Sequence, residues 1–162
     1  MRRKDREVKN FAQIREIIEE CDVIRLGFND GEFPYIIPLN YGCEIEGEDI
    51  YFYIHGAKVG HKADLIKENG KCSFEMDGAH KLELLYEHKD VTMRYKSLMG
   101  TAKIEIIEDA AEKERCLDIL MDKHEDTRTF EYDHAAISHT MVAKLTVLSY
   151  TGKINPVGGN AD

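Results

Sequence analysis

Apolar residues recur along this chain with two periods, and the switches between them divide it into helices and strands. Phe11, Ile14, Ile17 and Ile18 fall at helical spacing. Asn10, with Gln13 three residues on, has the form of a capping box, so 10–20 reads as a short amphipathic helix. Residues 23–28 read as a strand and Asn29-Asp30-Gly31-Glu32 as a turn. Residues 33–43 then form the second strand of a hairpin. Pro34 and Pro38 lie within it, and proline cannot donate to a ladder, so this strand is expected to have an open edge or a bulge. The run Ile50-Tyr51-Phe52-Tyr53-Ile54-His55 is aromatic and β-branched, as a half-buried strand requires. Its alternation puts Tyr51, Tyr53 and His55 on one face. Gly56 to Gly60 form a loop, 61–68 a two-turn helix stopped by Asn69-Gly70, and 71–76 a returning strand.

The pattern is less decisive over 77–91, where Leu82, Leu84 and Leu85 fit either a short strand or a loop packed on the sheet. A long strand follows over 92–108, with a bend or bulge expected at Gly100. Asp109 and Glu112 form a second capping box, opening a helix to about residue 124 whose buried edge is Leu117, Leu120 and Met121. A turn of helix is expected around Ala135-Ala136-Ile137, and 141–151 is the last strand. With no repeat or linker, the chain reads as mainly β: six or seven antiparallel strands in a small barrel, with two main helices outside it. One domain covers 1–152, and 153–162, with Pro156 and a Gly-Gly pair, is a tail.

Composition narrows the function. The 162 residues are 43% hydrophobic, enough for a core, and the net charge of −9 with no basic stripe excludes a nucleic-acid surface. No apolar run has membrane-spanning length, and none follows Met1-Arg2-Arg3-Lys4, so neither a membrane span nor a signal peptide is expected. Cys21, Cys43, Cys72 and Cys116 are far apart without a C-x-x-C pair, which suits reduced, packed thiols in a cytoplasmic protein. The histidines lack metal-ligand spacing, and no metal site is expected.

The candidate chemistry lies at His61 and Lys62, which open a helix. A cation in a first turn opposes the helix dipole, whereas a phosphate placed there would accept from backbone N–H groups and from Lys62 together. The alternative is that Lys62 points into water. The unpaired backbone of the proline-bearing strand at Pro38, Leu39, Asn40 and Tyr41 suits recognition of a planar, amide-like ring, or else marks an ordinary edge strand protected from aggregation.

The run Ile50-Tyr51-Phe52 followed by His55-Gly56-Ala57-Lys58-Val59-Gly60-His61-Lys62 closely resembles the central motif of the nitroimidazole-resistance proteins, within the pyridoxamine 5'-phosphate oxidase-like split β-barrels that bind FMN. Phe33-Pro34-Tyr35, Pro38-Leu39-Asn40-Tyr41, Tyr95-Lys96-Ser97 and Thr151-Gly152-Lys153 are similar to further family segments in the family's order. Ala102 stands where the family's pattern leads one to expect glycine, and 126–140 matches poorly. The resemblance implies a homodimer with FMN at the subunit interface. His61 and Lys62 would hold the phosphate, with Gly60 allowing close approach. Pro38, Leu39, Asn40 and Tyr41 would lie along the isoalloxazine edge. Tyr53 and His55 would line the pocket, and Ser97 would add a phosphate or ribityl hydrogen bond. His55 would act near the reactive ring as proton donor or ring-orienting group, or be only a structural partner.

The implied activity is reduction of small molecules such as nitroaromatics, with NADH or NADPH as donor. The alternatives are a flavin-binding protein without turnover and a haem-binding relative. Pyridoxamine-phosphate oxidase activity itself is disfavoured by the short chain and the lack of a second basic cluster for a substrate phosphate.

Overall fold

The computed structural model describes residues 3–125 and 131–155, and of His134 the backbone alone. After a two-residue strand β1 (Glu7–Val8) come α1 (Phe11–Glu20), β2 (Ile24–Phe28), β3 (Tyr35–Leu39), β4 (Gly42–Glu46), β5 (Asp49–Ala57) and α2 (His61–Asn69). The chain continues through β6 (Lys71–Leu85), β7 (Asp90–Ile107), α3 (Ala110–Asp122), α4 (His134–His139) and β8 (Thr140–Asn155). All eight strands pair antiparallel in one sheet, in the order β3-β2-β6-β7-β8-β5-β4, with β1 added to β8. The two ends of that order, β3 and β4, are consecutive in the chain and joined by Asn40 and Tyr41 alone. From Leu39 to Gly42 the chain reaches at most about 10 Å, so the sheet must curl until its edges meet. Those edges do not pair with each other, which leaves a barrel split along one seam.

Alternation sorts the side chains. Phe52 and Ile54 of β5 point inward, joining Leu26, Phe28, Phe74, Met76, Leu98, Ile104 and Leu145 with Ile14, Ile17 and Ile18 of α1. The opposite face of β5 and β8 carries Tyr53 and Val142, covered by Cys116, Leu117 and Ile137 from α3 and α4 as a smaller core. Both N-caps form, at Asn10 through the second rather than the third amide of the helix. The Asn10 side chain accepts from Ala12 N (2.9 Å) and Asp109 from Glu112 N (2.9 Å), and Gly70 ends α2 in the left-handed conformation.

Several expectations need correcting. The strand expected over 33–43 is two strands, each an edge of the sheet, because Tyr41 turns into the core. Its hydroxyl lies 2.7 Å from Ile18 O and 2.9 Å from Cys21 O, closing the carboxyl end of α1. The strand expected to stop at residue 76 continues to Leu85, across an irregularity between Gly78 and Lys81. Leu82 pairs with Met93 and Leu84 with Val91 on an exposed hairpin arm. On β7 the register shift comes between Thr101 and Ala102, one residue beyond Gly100. The Gly100 position is crowded by Ser149 O and the Phe74 ring, which leave no room for a Cβ. Ala102, on the far side of that shift, is fully buried opposite Cys72 and Val147 with its Cβ accommodated, so the expected glycine is not needed there. Met121 is only partly buried; Lys113 and Cys116 join Leu117 and Leu120 beneath α3. β8 extends to Asn155, whose amide donates to Met93 O (2.5 Å) and Thr92 Oγ1 (3.0 Å). Residues 153–155 are therefore sheet rather than tail, and 156–162 lie outside the described residues.

Candidate functional site

β5 ends at Ala57, and a three-residue loop leads to α2, which is anchored inward by Ala63, Leu65 and Ile66. Gly60 is the N-cap, at φ 109°, a backbone conformation that a side chain would strain, and no side chain caps this end. Gly60 O accepts from Ala63 N (2.9 Å) and Asp64 N (3.2 Å). The amides of His61 and Lys62 precede those bonds and have no acceptor within their own helix, the ordinary state of a first turn. Lys62 folds back along this end, with Nζ 3.4 Å from His55 O, and occupies the space that a Cβ on Gly56 would need. Burial lowers the Lys62 pKa, and among the described residues no carboxylate forms an ion pair with it. A half-buried cation beside unbonded helix-start amides is a donor set made for an anion. The arrangement fits a phosphate group.

His55 is exposed at the mouth of this region. Partial burial of the ring, and then the Lys62 charge, lower its pKa from the usual 6.5. The His61 ring is turned away from the helix axis. Nε2 lies 2.6 Å from Asp30 Oδ2, and the ring meets Tyr35 edge-on at 5.0 Å, tying the start of α2 to the β2–β3 hairpin. Its backbone N–H, rather than its ring, is the group free for an anion. Neither Asp30 nor Tyr35 is suggested by any local pattern, since the contacts join positions more than 25 residues apart.

The other expected residues spread further. Pro38, Leu39 and Asn40 follow Tyr35 along the edge strand, about 10–16 Å beyond the His61 contact at strand rise. Pro38 and Asn40 are exposed there, and Leu39 packs on the core. Tyr41 cannot offer its side chain, which is fully buried, so only its backbone remains for a ring edge. Tyr53 shares the His55 face as expected but does not line an open pocket. It is 1% exposed beneath α3, its hydroxyl donating to Glu44 (2.6 Å) and accepting from Arg115 (3.1 Å). Ser97 is buried on β7. His55 is level with Val142 and, across β8, with Ile107. Ser97 lies ten positions from Ile107, about 33 Å along the strand, so one chain does not bring Ser97 and Lys62 together.

A larger cavity, about 570 Å³, lies away from α2 between α1, β4 and α3. Burial pushes the Cys43 thiol there up to about 12, and of its two cations, Arg15 and Lys123, the second already donates to Ile18 O (2.8 Å). Among the described residues, no cluster of three His, Cys, Asp or Glu is arranged to hold a metal ion, and no helix is long and apolar enough to cross a membrane.

A curled antiparallel sheet split between two consecutive edge strands, with an uncapped helix start beside Lys62 at its α2 corner, defines the class of split β-barrels. The chain belongs to the pyridoxamine 5'-phosphate oxidase family, whose model matches residues 11–154. Among solved structures it is similar to a candidate 5-nitroimidazole antibiotic resistance protein from Bacteroides thetaiotaomicron. The two are 32% identical over 91% of this chain and 86% of that one, with a TM-score of 0.80. A flavocytochrome from Azotobacter vinelandii is 19% identical, over 100% and 75% of the two chains, also at TM-score 0.80. An FAD- and haem-binding protein from Mycobacterium smegmatis is 15% identical, over 97% and 77%, again at 0.80. The last two show the fold alone. No curated protein matches the chain.

Proposed function

We propose that this protein binds FMN and reduces small molecules, nitroaromatics among them, with NADH or NADPH as donor. The observation that carries the reading is the start of α2, where Lys62 is half-buried beside an uncapped helix end, with no carboxylate partner among the described residues. Lys62 and the His61 and Lys62 amides hold the phosphate. The backbone of Pro38, Leu39, Asn40 and Tyr41, at the seam-side end of edge strand β3, meets the ring edge. Flavin, when bound, supplies hydride and single-electron transfer. His55 serves the reaction at the ring, holding or passing a proton. Its lowered pKa keeps the imidazole neutral at pH 7 until a nearby anion restores its basicity.

The functional unit is a homodimer. Ser97 and Lys62 are too far apart in one chain to share a cofactor, so a site that uses both draws on two. The outward Leu82, Leu84, Val91 and Met93 of the β6–β7 arm form an apolar surface suited to such a partner. The compartment is the cytoplasm, where the four free thiols persist.

The test is anaerobic incubation of the FMN-loaded protein with NADPH and a 5-nitroimidazole. Nitro-group loss that depends on FMN supports the reading. Flavin binding without turnover reduces it to a flavin carrier, and a haem spectrum in place of bound flavin overturns it.

A further inference from the structure

A smaller cavity, about 290 Å³, lies between the start of α3, helix α4 and the loop after β5. Lys113 lines it and is only 4% exposed, yet among the described residues it has no hydrogen-bond or ion-pair partner. Its ammonium is not among the fully buried polar atoms, so the alkyl stem is buried while the charge keeps accessible surface at the cavity it lines. The lining includes two carboxylates, of exposed Glu108 and half-buried Glu114, and neither forms an ion pair with Lys113. Exposed Lys58 adds a second cation, and Ile137, 6% exposed, gives an apolar wall.

We propose that this cavity binds a small monocarboxylate, its carboxylate on Lys113 and its short alkyl part against Ile137. The volume is just below the usual range for drug-sized ligands, about 300–1,000 Å³, and suits an acid of a few heavy atoms. Lys58 draws an anion in. Glu108 and Glu114 oppose a doubly charged one, so inorganic phosphate is a poor occupant. None of the lining residues belongs to the phosphate cradle at His61 and Lys62, and the site does not depend on the flavin reading.

Propionate, propionamide and inorganic phosphate, each titrated into the ¹⁵N-labelled full chain with and without FMN, test this by amide chemical shifts. Propionate is expected to produce saturable shifts at Lys113, Ile137 and Ser138 whether or not FMN is present. Propionamide and phosphate should bind at least tenfold more weakly. Lys113→Met should weaken propionate at least tenfold in a folded chain, and Lys58→Ala severalfold. Should Lys113→Met fail to fold, the Lys58→Ala titration and the comparison of acid with amide decide. No saturable shift, equal binding of propionamide or phosphate, displacement of propionate by FMN, or unchanged affinity in the folded Lys113→Met variant would each overturn the proposal.

Discussion

The charge of Lys62 acts on His55. Burial lowers both pKa values, and the Lys62 charge presses further on His55. The folded chain therefore prefers a neutral His55, and as pH falls the unfolded chain takes up its proton first. The contribution of His55 to stability is intact above about 6.5, its unfolded value, and is lost as pH falls through its lower folded value. His55→Gln should flatten the pH dependence of Tm across that window; parallel curves for the two proteins would show that the ring is not desolvated. A bound phosphate acts in the opposite direction, so FMN should raise the His55 pKa in an NMR titration of its ring protons. Tyr41 gives a prediction of another kind. Tyr41→Phe leaves Cys21 O short of a donor in the core, while Ile18 O keeps Lys123 Nζ, and should cost about 1–3 kcal/mol in urea unfolding without altering FMN affinity. A large loss of FMN affinity at equal stability would mean that the hydroxyl, and not only the backbone, serves the site.

At the scale of elements, the corner where β5 becomes α2 separates binding from folding. A Cβ on Gly56 meets only the far end of the flexible Lys62 side chain, whereas one on Gly100 meets backbone and the Phe74 ring. Gly56→Ala should thus displace Lys62 and weaken FMN binding with little change in Tm, and Gly100→Ala should lower Tm sharply. The reverse order would contradict the assignment of Lys62. The backbone of this corner was legible in the sequence because its pieces are local, an alternating strand, a glycine loop and a helix with a left-handed stop, whereas its tie to Asp30 and Tyr35 is tertiary and was not. The 33–43 region was not. Its proline-bearing edge could be read, but the break at Tyr41 comes from a tertiary hydrogen bond to α1, and no spacing encodes it. The arm over 77–91 stayed ambiguous because its leucines are cross-strand pairs on an exposed hairpin, so burial did not impose a clean alternation. Tyr53 and His55 do share a face, yet α3 covers one and leaves the other open. That distinction belongs to packing rather than to the strand period.

For the molecule as a whole, the sheet closes because its two edges are two residues apart, and the seam between them places an edge backbone within reach of the α2 corner. Along the sheet, His55 is level with the Ile107 end of β7, and Ser97 lies ten positions further along that strand. A single chain then leaves Ser97 apart from Lys62, although the family resemblance assigns both to one cofactor, and it exposes the apolar β6–β7 arm. Leu84→Glu together with Met93→Glu should shift sedimentation from dimer to monomer and reduce FMN affinity in parallel. A monomeric wild-type chain that retains FMN would remove the shared site.

The central claim is that the start of α2 holds a phosphate, and a paired titration of FMN and riboflavin, followed by flavin fluorescence, tests it most directly. The account predicts that the wild-type chain prefers FMN over riboflavin. Lys62→Ala should weaken FMN by roughly 1.5–3 kcal/mol, the range for a hydrogen bond to a charged group, and leave riboflavin nearly unchanged. Equal affinity for FMN and riboflavin in the wild-type chain, or an unchanged FMN affinity in Lys62→Ala, would contradict it.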